Sequence, residues 1–243
     1  MPHFRWKPAG LLIAALLLAS QPGPVPAAEI ASLPAVREAA PRMFGRHEIH
    51  SADLTQFTRW TGLLARWKAQ RAAAAKSCSA PGAVASSCTP PEWTGLIERL
   101  RGLPLRRQLA AVNDAINAHP YVSAVRNWGD PAYWETPFEF MRENGQCQDY
   151  AITKFLLLRE LGVPNDRMRL VVLRDVRRQV DHAVLVVSVA GEELLLDNLI
   201  DGVVPAAAPT NYRAYYSINE TGWWLHLPNP LMPGGASSQV ASR

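Results

Sequence analysis

The apolar pattern of this 243-residue chain changes period once, at Gly162 and Pro164, and that change limits the fold more than any other feature. Upstream, hydrophobic residues recur at spacings of three and four. Phe57, Trp60, Leu63, Leu64 and Trp67 mark one face of a helix expected over Asp53 to Lys76, with Trp60 and Trp67 in the core. Pro91 and Glu92 open a second helix that carries Trp93, Leu96, Ile97 and Leu100 and stops at Gly102 and Pro104. A third runs from Leu105 to Ala118 with Leu109, Val112 and Ile116 aligned. A fourth, Cys147 to Leu161, follows the turn dipeptide Asn144-Gly145 and buries Ala151, Phe155, Leu158 and Leu161. Downstream, Arg169 to Leu173, His182 to Val189 and Glu193 to Ile200 are rich in Val and Leu and separated by polar or Gly-containing turns, the pattern of an antiparallel sheet. Helices followed by strands predict an α+β fold, a helical N-terminal half packed on that sheet. Tyr121 to Glu143 is dense in aromatics, lacks periodicity and is broken by Pro131 and Pro137, so it is read as a structured loop leading to Cys147.

The N-terminus has the order of a secretory signal: Arg5 and Lys7, the apolar run Leu11 to Ala19, then small residues at Val25-Pro26-Ala27-Ala28. An apolar run of about ten residues is roughly half of what a bilayer core requires, so cleavage and export are expected rather than anchoring. The expected division is therefore a signal peptide over 1–28, one domain over 29–232 beginning with an arm at Glu29 to Pro41, and a disordered tail over 233–243. Cleavage takes the formal charge from +4 to +2 by removing Arg5 and Lys7, too weak a balance for nucleic-acid binding. No later segment is long and apolar enough to insert stably in a membrane, and a periplasmic location is expected.

Three cysteines in an exported chain meet an oxidising compartment. Cys78 and Cys88 flank a short loop rich in Gly, Ala, Ser and Pro, which predicts a disulfide between them, two free thiols being the alternative. Cys147 is then unpaired: either a buried small hydrophobe or a reactive thiol.

Position favours reactivity. In the first turn of a helix, unpaired N–H groups and the positive end of the helix dipole stabilise a thiolate, and the same N–H groups can receive an oxyanion. Thiolate catalysis also needs an imidazole. After cleavage the histidines are His47, His50, His119, His182 and His226, and His182 alone opens an apolar strand. Asp197 lies in the next strand among leucines, where a carboxylate needs a partner. If Ala190-Gly191 is a two-residue hairpin turn, paired residue numbers sum to about 381 and His182 and Asp197 become diagonal neighbours on one face. A slip of one residue would make Asn198 the orienting group instead.

The stretch from Val112-Asn113 to Asn219 carries YW at 133–134, TPFEF at 136–140, GQCQDYAITKFLLLRELGV at 145–163, DHAVLVV at 181–187 and LLLDNL at 194–199. With these segments it resembles the bacterial transglutaminase-like cysteine proteinases, the LapG-like periplasmic enzymes. The upstream cysteine pair followed by Trp93 also fits. The resemblance implies a papain-like, transglutaminase-like fold and a Cys-His-Asp triad at Cys147, His182 and Asp197. It further implies a protein substrate, a large surface adhesin cut near its N-terminus after paired alanines to release biofilm cells, and an inner-membrane cyclic di-GMP receptor that sequesters the proteinase.

One departure concerns a metal. The family motif reads Gly-Asp-Cys-Glu-Asp-Tyr, and its acidic residues help to bind calcium. Here it is Gly145-Gln146-Cys147-Gln148-Asp149-Tyr150, so two carboxylates are amides. Calcium draws much of its affinity from ligand charge, and a site of Gln146, Gln148 and Asp149 is expected to be weak or lost. No other cofactor is expected. The same residues leave two alternatives open: acyl transfer to an amine through the same thioester, and a non-catalytic module that holds a peptide on the Tyr121 to Phe140 aromatics.

Overall fold

A computed structural model describes residues 43–79 and 89–228. The expected signal peptide, the Glu29 to Pro41 arm, Cys88 and the tail from residue 233 lie outside the described residues. Helices α1 (Thr58–Cys78), α2 (Pro91–Leu100) and α3 (Leu105–Asn117) lie where the three-and-four spacing places them. Trp60, Leu63, Trp67 and Ala74 form the buried stripe of α1, and Pro91 supplies the first residue of α2, where its missing N–H costs nothing. The central helix α6 (Cys147–Glu160) is buried without interruption from Gln148 to Leu158. It is therefore packed on all sides, and its N-terminus emerges where Cys147 is half-buried.

The segment expected as a loop contains two short helices, α4 (Ala124–Trp128) and α5 (Pro137–Glu143). Hydrophobic period could not reveal them at this length. Capping chemistry does: the Thr136 hydroxyl accepts from the Glu139 N–H at 3.4 Å, and the Glu139 carboxylate accepts from the Thr136 N–H at 2.8 Å, with Pro137 at the first helical position.

The described residues also form seven antiparallel strands: β1 (His47–Ser51), β2 (Met168–Asp175), β3 (Val180–Val189), β4 (Glu192–Leu196), β5 (Val203–Pro205), β6 (Tyr212–Ile218) and β7 (Trp223–Leu227). Their spatial order is β1-β7-β6-β2-β3-β4-β5. The α+β expectation holds, with a sheet larger than the three strands read from the sequence. Residues alternate between two cores. Leu170, Leu185, Val187, Leu194, Leu196 and Ile218 pack with the helices, whereas Val171, Leu173, Val184, Val186 and Leu195 form a smaller cluster with Tyr212 and Ala214.

The β3–β4 hairpin has the expected register: Val189 faces Glu192 and Leu185 faces Leu196. Ala190 and Gly191 turn with φ of 52° and 84°, the positive values that a two-residue hairpin requires. Strand β4 ends at Leu196, short of the Ile200 expected, because the chain turns at Asp197. Among the described residues no helix is long and apolar enough to cross a membrane.

Candidate active site

Cys147 is the first residue of α6 and the free cysteine among the described residues. The turn that presents it is built by reciprocal bonds. Asp149 Oδ2 accepts from the Gln146 N–H at 3.0 Å, and the helix ladder begins with the Asp149 N–H donating to the Gln146 carbonyl at 2.8 Å. The N–H groups of Cys147 and Gln148 have no helical carbonyl to reach and point out of the helix end. Gly145 is required just upstream, since a Cβ there would sit 2.7 Å from Asp149 Cβ and 2.9 Å from Phe140 Cδ2.

His182 near the start of β3 and Asp197 just beyond β4 meet in the manner the hairpin register implies. His182 Nε2 lies 2.8 Å from Asp197 Oδ1, and both side chains are buried. Asn198, the alternative orienting residue, does not take this place; its buried Oδ1 has no hydrogen-bond partner among the described residues. The Cys147 thiol, whose Sγ donates to Gln148 Oε1 at 3.7 Å, is near enough to act on the imidazole from the side away from Asp197. Burial alone would lower the His182 pKa. The bonds and charges of Asp197 and Cys147 outweigh it and push the imidazole up to about 9.

Asp197 has two further partners. Tyr212 Oη donates to Oδ2 at 2.6 Å and the Leu199 N–H donates to Oδ1 at 2.9 Å. Burial opposes its ionisation, yet His182, Tyr212 and Leu199 together hold the carboxyl below its usual range. Sequence reasoning did not single out Tyr212. It lies 15 residues beyond Asp197, on a strand whose pairing with β2 carries a register shift between Val172 and Leu173.

Gln146, Gln148 and Asp149 flank Cys147, and hydrogen bonds within the protein already engage the Asp149 oxygens. The Asp149 oxygens accept N–H donors from Glu135 at 2.9 Å, from Gln146 at 3.0 Å and from the Gln148 side chain at 3.2 Å, while Gln148 Oε1 faces the Cys147 thiol. Burial, assisted by Glu135 and Glu139, pushes the Asp149 carboxyl up to about 8 against these hydrogen bonds, which weakens its negative charge at neutral pH.

Most of the aromatic segment is occupied internally. Phe140 is fully buried, Trp128 stacks on Tyr133 with centroids 4.6 Å apart, and Tyr121 alone is largely exposed, at 60%. Trp128, Tyr133, Trp134 and Phe138 are half-buried.

The seven-stranded sheet with one buried helix and a cysteine at that helix start define a transglutaminase-like cysteine proteinase fold. Residues 101–230, more than half of the chain, match the family described as bacterial transglutaminase-like cysteine proteinase, BTLCP, and the chain belongs to that family. It is a cysteine peptidase. Among solved structures, EGTA-treated Legionella pneumophila LapG is similar at 32% identity and TM-score 0.51, over 56% of this chain and 75% of that one. Calcium-bound LapG of the same organism is similar at 31% identity and TM-score 0.50, over 57% and 80%. No curated protein matches the chain.

Proposed function

We propose that this protein is an exported endopeptidase in which Cys147 is the nucleophile, His182 the acid–base and Asp197 the group that orients His182. The observation that carries the proposal is the 2.8 Å Nε2–Oδ1 contact beside a helix-start thiol. With Asp197 on Nε2, the other ring nitrogen serves Cys147. The thiolate attacks the scissile carbonyl carbon, and the oxyanion forms towards the free N–H groups of Cys147 and Gln148. As the C–N bond breaks, His182 gives its proton to the leaving amine. It then takes a proton from the water that hydrolyses the thioester and restores the thiol.

Cys147→Ala is expected to abolish cleavage and His182→Ala to slow it by about 10²- to 10⁴-fold, read by mass spectrometry of a digested protein substrate. Full activity of Cys147→Ala would sink the proposal. The same reaction run with a primary amine separates hydrolysis from transamidation: amine incorporation in place of free carboxyl ends would make the protein an acyl transferase.

We infer a periplasmic location, a surface adhesin as substrate and a cyclic di-GMP receptor as restraint, the roles that the family resemblance implies. Fractionation of cells expressing the tagged chain, and adhesin release in strains with and without Cys147, test these roles. The engaged Asp149 oxygens and the two glutamines support a protein without strong calcium dependence. Cleavage abolished by EGTA and restored by micromolar calcium would refute that. A Cys78–Cys88 disulfide accompanies export in this reading. Titration of the unreduced, denatured mature protein should find one thiol, and three would refute the pairing.

A further inference from the structure

Lys154 lies two helical turns below Cys147 on the same face of α6, and its side chain is wholly buried. A buried ammonium is expensive, so its surroundings should show what it is for. Its Nζ donates to Asn113 Oδ1 at 2.8 Å. Because the Gly202 carbonyl only accepts, the Asn113 amide turns Nδ2 to it at 3.0 Å and Oδ1 to Lys154, whether Lys154 is charged or neutral. One turn further along α3, Asn117 Nδ2 donates to the backbone carbonyl of Asp197 at 2.7 Å. Two asparagines four residues apart on one helix face thus grip both ends of the turn from Asp197 to Gly202. That turn holds Asp197, whose Oδ1 meets His182.

We propose that Lys154 is a positioning residue for the reaction: through Asn113 it locks the face of α3 that holds the Asp197 turn against His182. The charged groups around Lys154 are Asp197, with His182 beyond it, and Asp114 on α3. Burial lowers the Lys154 pKa to about 7 against the attraction of both aspartates. Where His182 titrates, Lys154 is thus already neutral, and replacing it removes a hydrogen-bond clamp rather than a charge. Lys154→Met keeps the apolar stem and removes the donor.

The inference rests on Cys147, His182 and Asp197 forming the catalytic set, and the test separates the two. The imidazole of His182 is titrated by NMR in the mature protein, in Lys154→Met and in Asn113→Ala, which cuts the link from Lys154 to the Gly202 carbonyl. Wild-type His182 is expected near 9. The catalytic set is read separately, by cleavage: a fully active Cys147→Ala overturns it. With the set intact, Lys154→Met should lower the His182 value by about one pH unit, a tenfold loss of proton affinity. A folded Lys154→Met with His182 unmoved or moved up overturns the positioning role. If that variant does not fold, Asn113→Ala decides: a lowered His182 supports the clamp and an unchanged one overturns it.

Discussion

Asp197 is held from three sides, and each bond does something different. His182 takes Oδ1 at 2.8 Å, the Leu199 N–H shares that oxygen and closes the turn, and Tyr212 covers Oδ2. Tyr212→Phe strips Oδ2 of its donor in a buried place, so Asp197 should become harder to ionise and His182 easier to deprotonate. We expect kcat/KM to fall by about tenfold with folding intact, the worth of one hydrogen bond to a charged group. An unchanged kcat/KM would show that Tyr212 only packs. The raised pKa of His182 also has a sign in stability. Its unfolded value is near 6.5, so the His182–Asp197 attraction contributes fully below that pH and is lost as pH rises through about 9. The melting temperature of the wild type should therefore exceed that of His182→Gln by an amount that shrinks between pH 6.5 and 9. A constant gap would mean that the imidazole is neutral in the folded protein.

The β3–β4 hairpin shows what could be read in the sequence at the scale of an element. Ala190-Gly191 between two apolar runs fixes the turn, the turn fixes the register, and the register brings Asp197 to His182. Long helices were equally legible from their period. Helices α4 and α5 were not, because five and seven residues are too few to show one; the Thr136-to-Glu139 capping box was the available signal. Strand β1 was hidden for another reason, since its partner β7 lies some 170 residues away and no local pattern announces it. The hairpin also invites a test. Ala190 holds a φ of 52°, a conformation that costs an L-residue with a Cβ about 1 kcal/mol or more. Ala190→Asn, suited to this turn, should raise stability by about 0.5–1 kcal/mol in urea unfolding and leave cleavage unchanged. At the other turn Gly145→Ala should do the reverse. Its Cβ would drive into Asp149 and Phe140, disturb the start of α6, and reduce Cys147 alkylation together with stability.

Across the whole molecule, a buried polar seam ties the first strand to the last. On four adjacent strands, Glu48 of β1 receives Arg169 of β2 at 2.8 Å, His226 of β7 lies 3.7 Å from Glu48, and His226 Nε2 meets Ser217 of β6 at 2.9 Å. Serine, histidine and glutamate in line resemble a hydrolytic relay, but Ser217 is fully buried and no substrate can reach it. The seam therefore acts on stability. Burial lowers the His226 pKa to about 4, with Arg169 and Arg46 adding to it and Glu48 opposing. The unfolded chain takes up this proton below about 6.5 while the folded one resists until about 4, so stability falls as pH drops through that window. The loss amounts to at most about 3 kcal/mol from this one residue. His226→Gln keeps a donor for Ser217 and removes the titration. Its melting temperature should start below that of the wild type at pH 7.5 and fall less between pH 7.5 and 4.5. Equal falls in both proteins would place the acid sensitivity elsewhere and leave the closure of β1 onto β7 to packing alone.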